Sequence, residues 1–296
     1  MPLSGNPIRS KIRAVTDNTV TGLAVLATVL VIAPLVAIFV YLIYKGAASL
    51  NLDFFTKIPK PVGEVGGGMA NAIVGSAVLL ALASLIGIPI GIGGGIYLAE
   101  FGRGTKLANA IRFTADVLNG VPSIVMGVAA YALIVSTHIS LIPFTGHFSA
   151  FAGGVALGIM MIPTVCRTTE EMLLMVPHAV REAALGLGVP NWRSVLAITL
   201  RTASPGVITG CMLAFARVAG ETAPLIFTAL GNSFWSVDLN RPIAALPLQI
   251  YVYALSPYDD WHRLAWAGAL VLIVLIVAAV SLVRYVTSRG VLKGAS

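Results

Sequence analysis

A chain of 296 residues has the length of one or two soluble domains, but 57% of its residues are hydrophobic and only 10% are charged, against about 25% charged in an average soluble domain. This shortage of charge excludes a nucleic-acid-binding module despite the formal net charge of +7, and two cysteines exclude a disulfide framework. The composition therefore predicts a protein of the lipid bilayer.

Six apolar runs are long enough to cross the hydrocarbon core, about 30 Å thick, as helices. They lie at residues 20–44, 70–98, 117–135, 150–176, 205–230 and 264–284. The runs are continuously hydrophobic, whereas the strands of a membrane barrel alternate in polarity. The sequence therefore predicts an all-α membrane protein with six transmembrane helices.

The second run contains a cluster of glycines, Gly91, Gly93, Gly94 and Gly95. The cluster lacks the Gly-Lys-Ser or Gly-Lys-Thr ending of a phosphate-binding loop. Small residues within a membrane helix favour close approach of a second helix. We therefore expect these glycines to pack against another span.

The lysines and arginines are distributed unequally between the two sides of the membrane. The loops on the side of the N-terminus hold thirteen of the nineteen, those on the other side hold five, and Arg217 falls within a span. Short cytoplasmic loops are enriched in Lys and Arg, so both termini are expected in the cytoplasm. The first apolar run exceeds the 7 to 15 residues of a cleavable signal, and we expect it to be retained.

The segment between the fourth and fifth runs is too charged to span the membrane and is typical of two short helices. Pro177 suits the first turn of a helix, and Gly188 suits the left-handed residue that ends one. Asn191 is a candidate cap for the second helix, and Ser204 followed by Pro205 predicts the start of the fifth span.

This segment resembles the cytoplasmic EAA loop of ABC importer permeases, which reads Glu-Ala-Ala, three residues, Gly, nine residues, then Ile-x-Leu-Pro. The matching residues are Glu182, Ala183, Ala184, Gly188, Ile198 and Leu200, and Arg201 stands where the motif has Pro. The resemblance implies that the loop docks on a cytoplasmic ATPase. The residues expected to take part are Arg181, Glu182, Ala183, Ala184 and Gly188. The small residues would allow close approach, while Arg181 and Glu182 would pair with charges on the ATPase. The alternative is a solvated amphipathic hairpin in which the alanines only favour helix.

Similarity to one family of these permeases, the phosphate-uptake family PstA, extends over most of residues 66–232. The segments that carry it are GGGMANAIVGS from residue 66, GIPIGIGGGIYLAEFG from 87, NGVPSIVMG from 119, IPTVCRTTEEMLLMVP from 162 and FARVAGETAPLIFTALGN from 215. The first 60 residues and the last 40 match only as generic membrane sequence.

The resemblance implies a type I ABC importer permease fold. The expected division of the chain is a cytoplasmic segment 1–19, a first helix with external loop 20–65, a permease core 66–285 that contains the EAA loop 177–204, and a cytoplasmic tail 286–296. The chain would be a non-catalytic subunit in the cell membrane of a bacterium or archaeon, without a cofactor or metal of its own.

The partners that the resemblance implies are a second, PstC-like permease, a PstB-like ATPase dimer that binds ATP and Mg²⁺, and an external PstS-like phosphate-binding protein. Membrane lipid would surround the assembly, and no nucleic acid is expected.

Three charged residues are candidates for the substrate pathway. Arg217 falls near the middle of the fifth run, where a charge costs roughly 2.5 to 3.5 kcal/mol, and Glu221 would lie one helical turn later on the same face. A guanidinium offers forked donors to phosphate oxygens, and Glu221 would hold it in place. Arg167 is either a second contact for the anion or a side chain that reaches the interface. The alternative for Arg217 and Glu221 is an ion pair that only fixes helix packing.

Three other functions stay open. The same importer could carry another oxyanion, such as sulfate, molybdate or a phosphonate. An ion-coupled secondary transporter could use Arg217 and Glu221 as a relay, although it would have no need of the EAA loop. A membrane sensor that reports phosphate availability is neither supported nor excluded.

Overall fold

The computed structural model describes residues 7–64, 66–137 and 145–293, and the side chains of residues 13–64, 66–137 and 145–287. The first residues of the predicted N-terminal segment and the last residues of the predicted tail lie outside this range. The described chain is helical, and its only strand-like contact is one isolated bridge between Leu230 and Ile243.

Five helices account for the long apolar runs. They are α1 (Pro7–Ala47), α3 (Ala70–Ile96, continued by a wider π turn Tyr97–Phe101), α6 (Ala150–Leu174), α9 (Leu200–Ala219) and α12 (Asp259–Lys293). The shorter helices are α2 (Leu52–Thr56), α4 (Lys106–Gly120), α5 (Ser123–Ala130, continued by Tyr131–Val135), α7 (His178–Gly186), α8 (Asn191–Ser194, continued by Val195–Thr199), α10 (Ala223–Thr228) and α11 (Leu246–Ala254).

Helices α3 and α6 form the centre of the bundle and run in the same direction. Their facing pairs are Gly87–Met161, Gly91–Val165 and Gly95–Thr169. A Cβ atom on any of the three glycines would lie 2.5–2.7 Å from the Cβ of its partner, so only glycine permits this separation of the helix backbones. The expected packing of the glycine cluster is confirmed at Gly91, Gly94 and Gly95, whereas Gly93 faces open space.

The third predicted span is wrong as a single helix. It consists of α4, which begins at Lys106, and α5, and the two meet at 109°. Pro122 explains the break, because its ring disfavours helical backbone at the residue before it, and Val121 is extended with φ −72° and ψ 132°.

The chain direction shows that the bent pair counts as one crossing. Helix α3 ends at one side of the membrane, and the parallel α6 begins at the other side. The chain between them must therefore return once across the bilayer, and α4 with α5 is the apolar part that does so. Six crossings follow, as the sequence predicts.

The fifth span also differs from its prediction of 205–230. Helix α9 begins before Pro205 and ends at Ala219, and α10 follows after Gly220. Pro224, near the start of α10, cannot donate to the carbonyl of Gly220, so the helix is not continued there.

Pro205 lies inside α9 and does not start it. Proline removes the N–H that would bond the carbonyl of Arg201, four residues earlier. The hydroxyl of Ser204 donates to that carbonyl at 2.8 Å, which supplies the missing bond and lets the helix continue.

The segment between α1 and α3 is ordered by a buried aromatic residue. Phe54, on the short helix α2, is fully buried together with Met69, Leu246 and Tyr253. This cluster joins the segment between α1 and α3 to α11 and to the start of α12. From residue 13 onward helix α1 is otherwise exposed, and it contacts mainly α12, where Gly46 lies against Leu270.

Candidate functional site

The EAA segment forms a hairpin of α7 and α8 at the end of the bundle where α3 and α6 finish. Arg181 fixes α7 to this end, because its guanidinium Nη2 lies 2.7 Å from Oε1 of Glu100 in the last turn of α3. The same guanidinium donates to the carbonyls of Leu173 and Val176, at 2.7 and 2.6 Å, and its side chain is 12% exposed. Arg181 is therefore an internal anchor, and the expectation that it pairs with charges on a partner does not fit these contacts.

Ala184 also faces inward. It is buried, whereas Glu182 and Ala183 are exposed on the other side of α7. The turn after α7 exposes 84% of Leu187, and Trp192 on α8 is also exposed. The hairpin therefore presents apolar side chains that nothing in the described part of the chain covers.

The backbone of the hairpin follows the sequence prediction in part. Gly188 has φ +76°, the left-handed conformation expected of the residue that ends a helix. Asn191 lies within α8, after the capping residue Pro190, and makes no side-chain cap. Pro190 takes the capping position before α8, because the fixed φ of proline suits that position.

Four charged side chains join α4 to α6 near the hairpin. Glu170 accepts from Nε of Arg112 at 2.6 Å and from Nη1 of Arg167 at 3.0 Å. Nε of Arg167 also lies 3.0 Å from Oδ1 of Asp116. The carboxylate of Glu170 is 4% exposed, and the two guanidinium groups compensate the cost of burying its charge. Arg167 is thus held between two carboxylates, an arrangement that the sequence analysis did not anticipate.

The two helix breaks lie at similar heights, halfway along α6. At the first break, the hydroxyl of Thr164 on α6 donates to the side-chain oxygen of Asn119, in the last turn of α4, at 3.1 Å. Near Gly127 on α5, the backbone of Pro224 on α10 approaches so closely that a Cβ at Gly127 would lie 2.7 Å from it. The two interrupted segments therefore pack against each other.

The second break places Arg217 at the middle of the bundle. Gly206 of α9 faces Met172, and Gly210 faces Thr168, so α9 runs antiparallel to α6. From Gly210 to Arg217 the helix rises about 10 Å, which brings Arg217 level with Met161. Arg217 therefore lies near mid-height, as predicted, although it is in the last turn of its helix.

The predicted ion pair between Arg217 and Glu221 is wrong. The helix ends at Ala219, so the two side chains do not share a helical face, and no salt bridge joins them. Arg217 is exposed and has no ion-pair partner within the part of the chain that the structure describes. With Thr209 and Leu213 it forms an exposed stripe at four-residue spacing along α9, which we call the open face of α9.

The open face is suited to contact with an anion. Arg217 presents a planar group whose forked N–H donors match the oxygens of a phosphate or a carboxylate. An unpaired arginine at this depth is costly in lipid, which favours an aqueous or protein neighbour for this face.

Sequence reasoning missed Glu100, Glu170 and Arg112. The signal for Glu170 was present, because it follows an apolar run within the segment IPTVCRTTEEMLLMVP. Its partner Arg112 stands 58 residues away, and sequence spacing does not reveal such a distant contact.

Comparison with known proteins gives one family and a consistent set of relatives. Residues 91–290 match the family described as binding-protein-dependent transport system inner membrane component. The phosphate transport system permease protein PstA of Yersinia pestis is 47% identical over 83% of this chain and 81% of its own length. The protein of the same name from Haemophilus influenzae is 44% identical over 87% of this chain and 88% of its own.

Two solved structures share the fold at low sequence identity. A chain of the inward-facing MetNI methionine ABC transporter superposes with a TM-score of 0.57 at 18% identity, over 77% of this chain and 96% of that one. A chain of an amino acid ABC transporter gives 0.51 at 18% identity, over 75% and 92%. These likenesses confirm the predicted all-α fold of type I ABC importer permeases.

Proposed function

Because the chain belongs to the binding-protein-dependent transport permeases and, within them, to the PstA family, we propose that it is the permease subunit of an ATP-driven importer of inorganic phosphate. It lies in the cell membrane of a bacterium or archaeon and forms the translocation pathway with a second, homologous permease subunit. It hydrolyses nothing itself. A cytoplasmic ATPase dimer binds ATP and Mg²⁺, and an external binding protein delivers phosphate.

The observation that carries the proposal is the open face of α9 with Arg217 at mid-height. Phosphate needs a positive, hydrogen-bonding contact to leave water inside a membrane, and Arg217 is not engaged by a carboxylate within the described residues. The second permease subunit covers this face, and the anion passes between the two chains.

Glu221 and Arg167 have separate roles in this proposal. Glu221 lies two residues after the end of α9, half-buried and not paired with Arg217 in this structure, and it takes the guanidinium as its partner only in another conformation of the transport cycle. Arg167 lies closer to the hairpin end, where Asp116 and Glu170 pair with it. It is a later contact for the anion, and its carboxylate partners keep the anion from binding there too tightly.

The hairpin end of the bundle is the cytoplasmic one. Basic residues are concentrated there, on α4, α7, α8 and the start of α9, which fits the bias of cytoplasmic loops. Helix α1 begins and α12 ends at this same side, so both termini are cytoplasmic.

The exposed side of the hairpin is the coupling surface for the ATPase. Glu182, Ala183, Leu187 and Gly188 make the contact, and the apolar side chain of Leu187 supplies the burial that drives docking. Arg181 and Ala184 act from inside, because they fix α7 to the bundle so that movement of the ATPase is delivered to the spans.

Uptake of radiolabelled phosphate at micromolar concentration tests the proposal. The transporter is expressed with its neighbouring genes in cells that lack their own high-affinity system, with excess sulfate as competitor. We expect ATP-dependent uptake that survives sulfate and is lost in Arg217→Gln. The matched control is Arg201→Gln, an exposed arginine at the opposite end of α9.

Three results would count against the proposal. Uptake abolished by sulfate would point to another oxyanion. Uptake independent of ATP would favour an ion-coupled transporter. Normal uptake in Arg217→Gln, with the protein present in normal amounts, would remove Arg217 from the pathway.

The coupling surface has its own test. Leu187→Asp places a charge in the apolar contact, so co-purification of the ATPase and phosphate uptake should both fall while the permease stays in the membrane. Leu52→Asp is the control for co-purification of the ATPase, since Leu52 is an exposed apolar residue of the short helix α2, at the opposite end of the bundle from the hairpin. Retention of the ATPase by Leu187→Asp would contradict the assignment.

A further inference from the structure

Three arginines from different parts of the chain bind the last turn of α3. Arg103 donates to the carbonyl of Ala99 at 2.7 Å, and Arg112 on α4 donates to the carbonyl of Leu98 at 3.1 Å. Arg181 on the hairpin binds Glu100. Leu98 and Ala99 are among the last four residues of this helix, whose carbonyl groups have no partner within the helix and are available to such donors. The hairpin and α4 are thus fastened to the same few residues.

Glu170 is the second point at which these elements meet. Its carboxylate binds Arg112 of α4 through one oxygen and Arg167 of α6 through the other. Arg112 therefore contacts Leu98 at the end of α3 and Glu170 on α6, and in this way it joins the two helices. Glu170 is nearly inaccessible to water, so the two arginines share a buried carboxylate as their common partner.

Helix α4 carries these contacts towards the first break. One face of α4 carries Arg112, Asp116 and Asn119. These residues contact α6 at Glu170, Arg167 and Thr164, respectively. One residue after Asn119 the helix ends, and α5 leaves at 109°. The hairpin, the ends of α3 and α6, and α4 therefore form one connected body that stops at the break.

We propose that Glu170 is a positioning residue for transport, because it makes α4 move with the hairpin and so directs the movement of the ATPase to the break at Gly120–Pro122. This inference rests on the proposed function. The charged pairs resist separation of α4 from α6, while the backbone at Val121, already extended, takes up the change in angle between α4 and α5. Without Glu170 the hairpin still docks, but α4 no longer follows it.

The experiment measures phosphate transported per ATP hydrolysed, in the complete transporter reconstituted in liposomes with its binding protein. Glu170→Gln keeps the shape of the side chain and removes its charge. We expect ATP hydrolysis close to that of the unaltered transporter and about tenfold less phosphate per ATP, which lies within the usual range of coupling between sites. Glu170→Asp, which keeps the charge, should recover part of the coupling.

Glu171→Gln is the matched control. Glu171 is the next residue on α6, is exposed, and forms no salt bridge with a described residue. Its substitution should leave the amount of phosphate transported per ATP hydrolysed unchanged. A second comparison uses Glu100→Gln alone and together with Glu170→Gln. If both carboxylates serve one connected body, the double variant should lose little more coupling than the worse single variant.

The outcomes separate this inference from the proposed function. If the unaltered transporter does not carry phosphate, both are overturned. If it carries phosphate and Glu170→Gln keeps the normal ratio, only the role of Glu170 is overturned. The role of Glu170 is also overturned if Glu170→Gln lowers the amount of protein, ATP hydrolysis and phosphate uptake in parallel, because this result indicates a purely structural role. It is likewise overturned if the losses of coupling in the two single variants multiply in the double variant, because the two carboxylates then act separately.

Discussion

Helices α3 and α6 cross the membrane unbroken and parallel, whereas the segments beside them, α4 with α5 and α9 with α10, are each interrupted halfway. The unbroken pair is held by glycines that bring two backbones together, and its hairpin end is fixed by buried ion pairs. The interrupted segments instead carry Asn119 and Arg217 near mid-height. The same chain thus builds a rigid body and, next to it, two places where the backbone changes direction.

The difference follows from where backbone groups find partners. Inside lipid, an unpaired carbonyl or N–H group costs several kcal/mol, so a helix is broken only where other protein groups or water are available. The two interrupted segments pack against each other at Gly127 and Pro224, and neither break lies in α3 or α6. We infer that movement during transport is concentrated at the breaks.

Arg181→Ala should have the largest effect on the rigid body. The substitution leaves Glu100, which is 7% exposed, without its guanidinium, and removing one partner of such a buried pair costs about 3–5 kcal/mol. Thermal unfolding of the purified permease should move to clearly lower temperature, and phosphate uptake should be lost. Arg193→Ala, at an exposed arginine of α8, serves as the control and should resemble the unaltered protein. Equal changes of the unfolding temperature in Arg181→Ala and Arg193→Ala would show that the buried contacts of Arg181 do not stabilise the permease.

Gly91→Leu should come next. The added side chain meets Val165 across the α3–α6 contact, and overpacking of this kind costs about 1–3 kcal/mol. We expect less folded protein in the membrane and a lower unfolding temperature. Gly93→Leu changes the same helix two residues later, where nothing lies within 4 Å of the new Cβ, and should be tolerated. The α3–α6 packing would need revision if Gly93→Leu were the more damaging variant.

Pro122→Ala should have the smallest effect on stability and a selective effect on transport. Exchanges of proline in a compatible backbone change stability by about 0.4–1 kcal/mol. The variant permits helical backbone at Val121, so the break straightens in part and uptake should fall although the protein stays folded. Pro205→Ala is the comparison, because α9 is already continuous there, and its uptake should stay normal. The measurement is phosphate uptake per amount of permease in the membrane, for Pro122→Ala and for Pro205→Ala. Equal uptake in both variants would show that transport does not need the first break.

The sequence predicts the continuous part of the fold well, for a physical reason. The apolar runs of α3, α6 and α12 are long because lipid or packed neighbours surround them throughout, and hydropathy reports that environment directly. The packing of the glycine cluster and the left-handed backbone of Gly188 follow from local stereochemistry.

The breaks are not predictable in this way, because hydropathy reports the environment of a side chain and not the path of the backbone. Pro205 and Pro122 both interrupt apolar runs, but only Pro122 ends a helix. At Pro205 the hydroxyl of Ser204 replaces the missing bond, and that contact is evident only once the helix is built. The site follows the same pattern: Arg217 could be found from its charge in an apolar run, whereas the contacts of Glu170 depend on how distant segments meet.

The first helix has a consequence for how the chain is made. Helix α1 is the first to leave the ribosome, and its main neighbour is α12, the last. The contact of Gly46 with Leu270 therefore cannot form until α12 has been made, and α1 waits in lipid at little cost because its surface is apolar. A chain cut short before residue 259 would lack this closing contact. The contact between α1 and α12 thus joins two helices more than 200 residues apart, and it forms only after every described helix between them has been made.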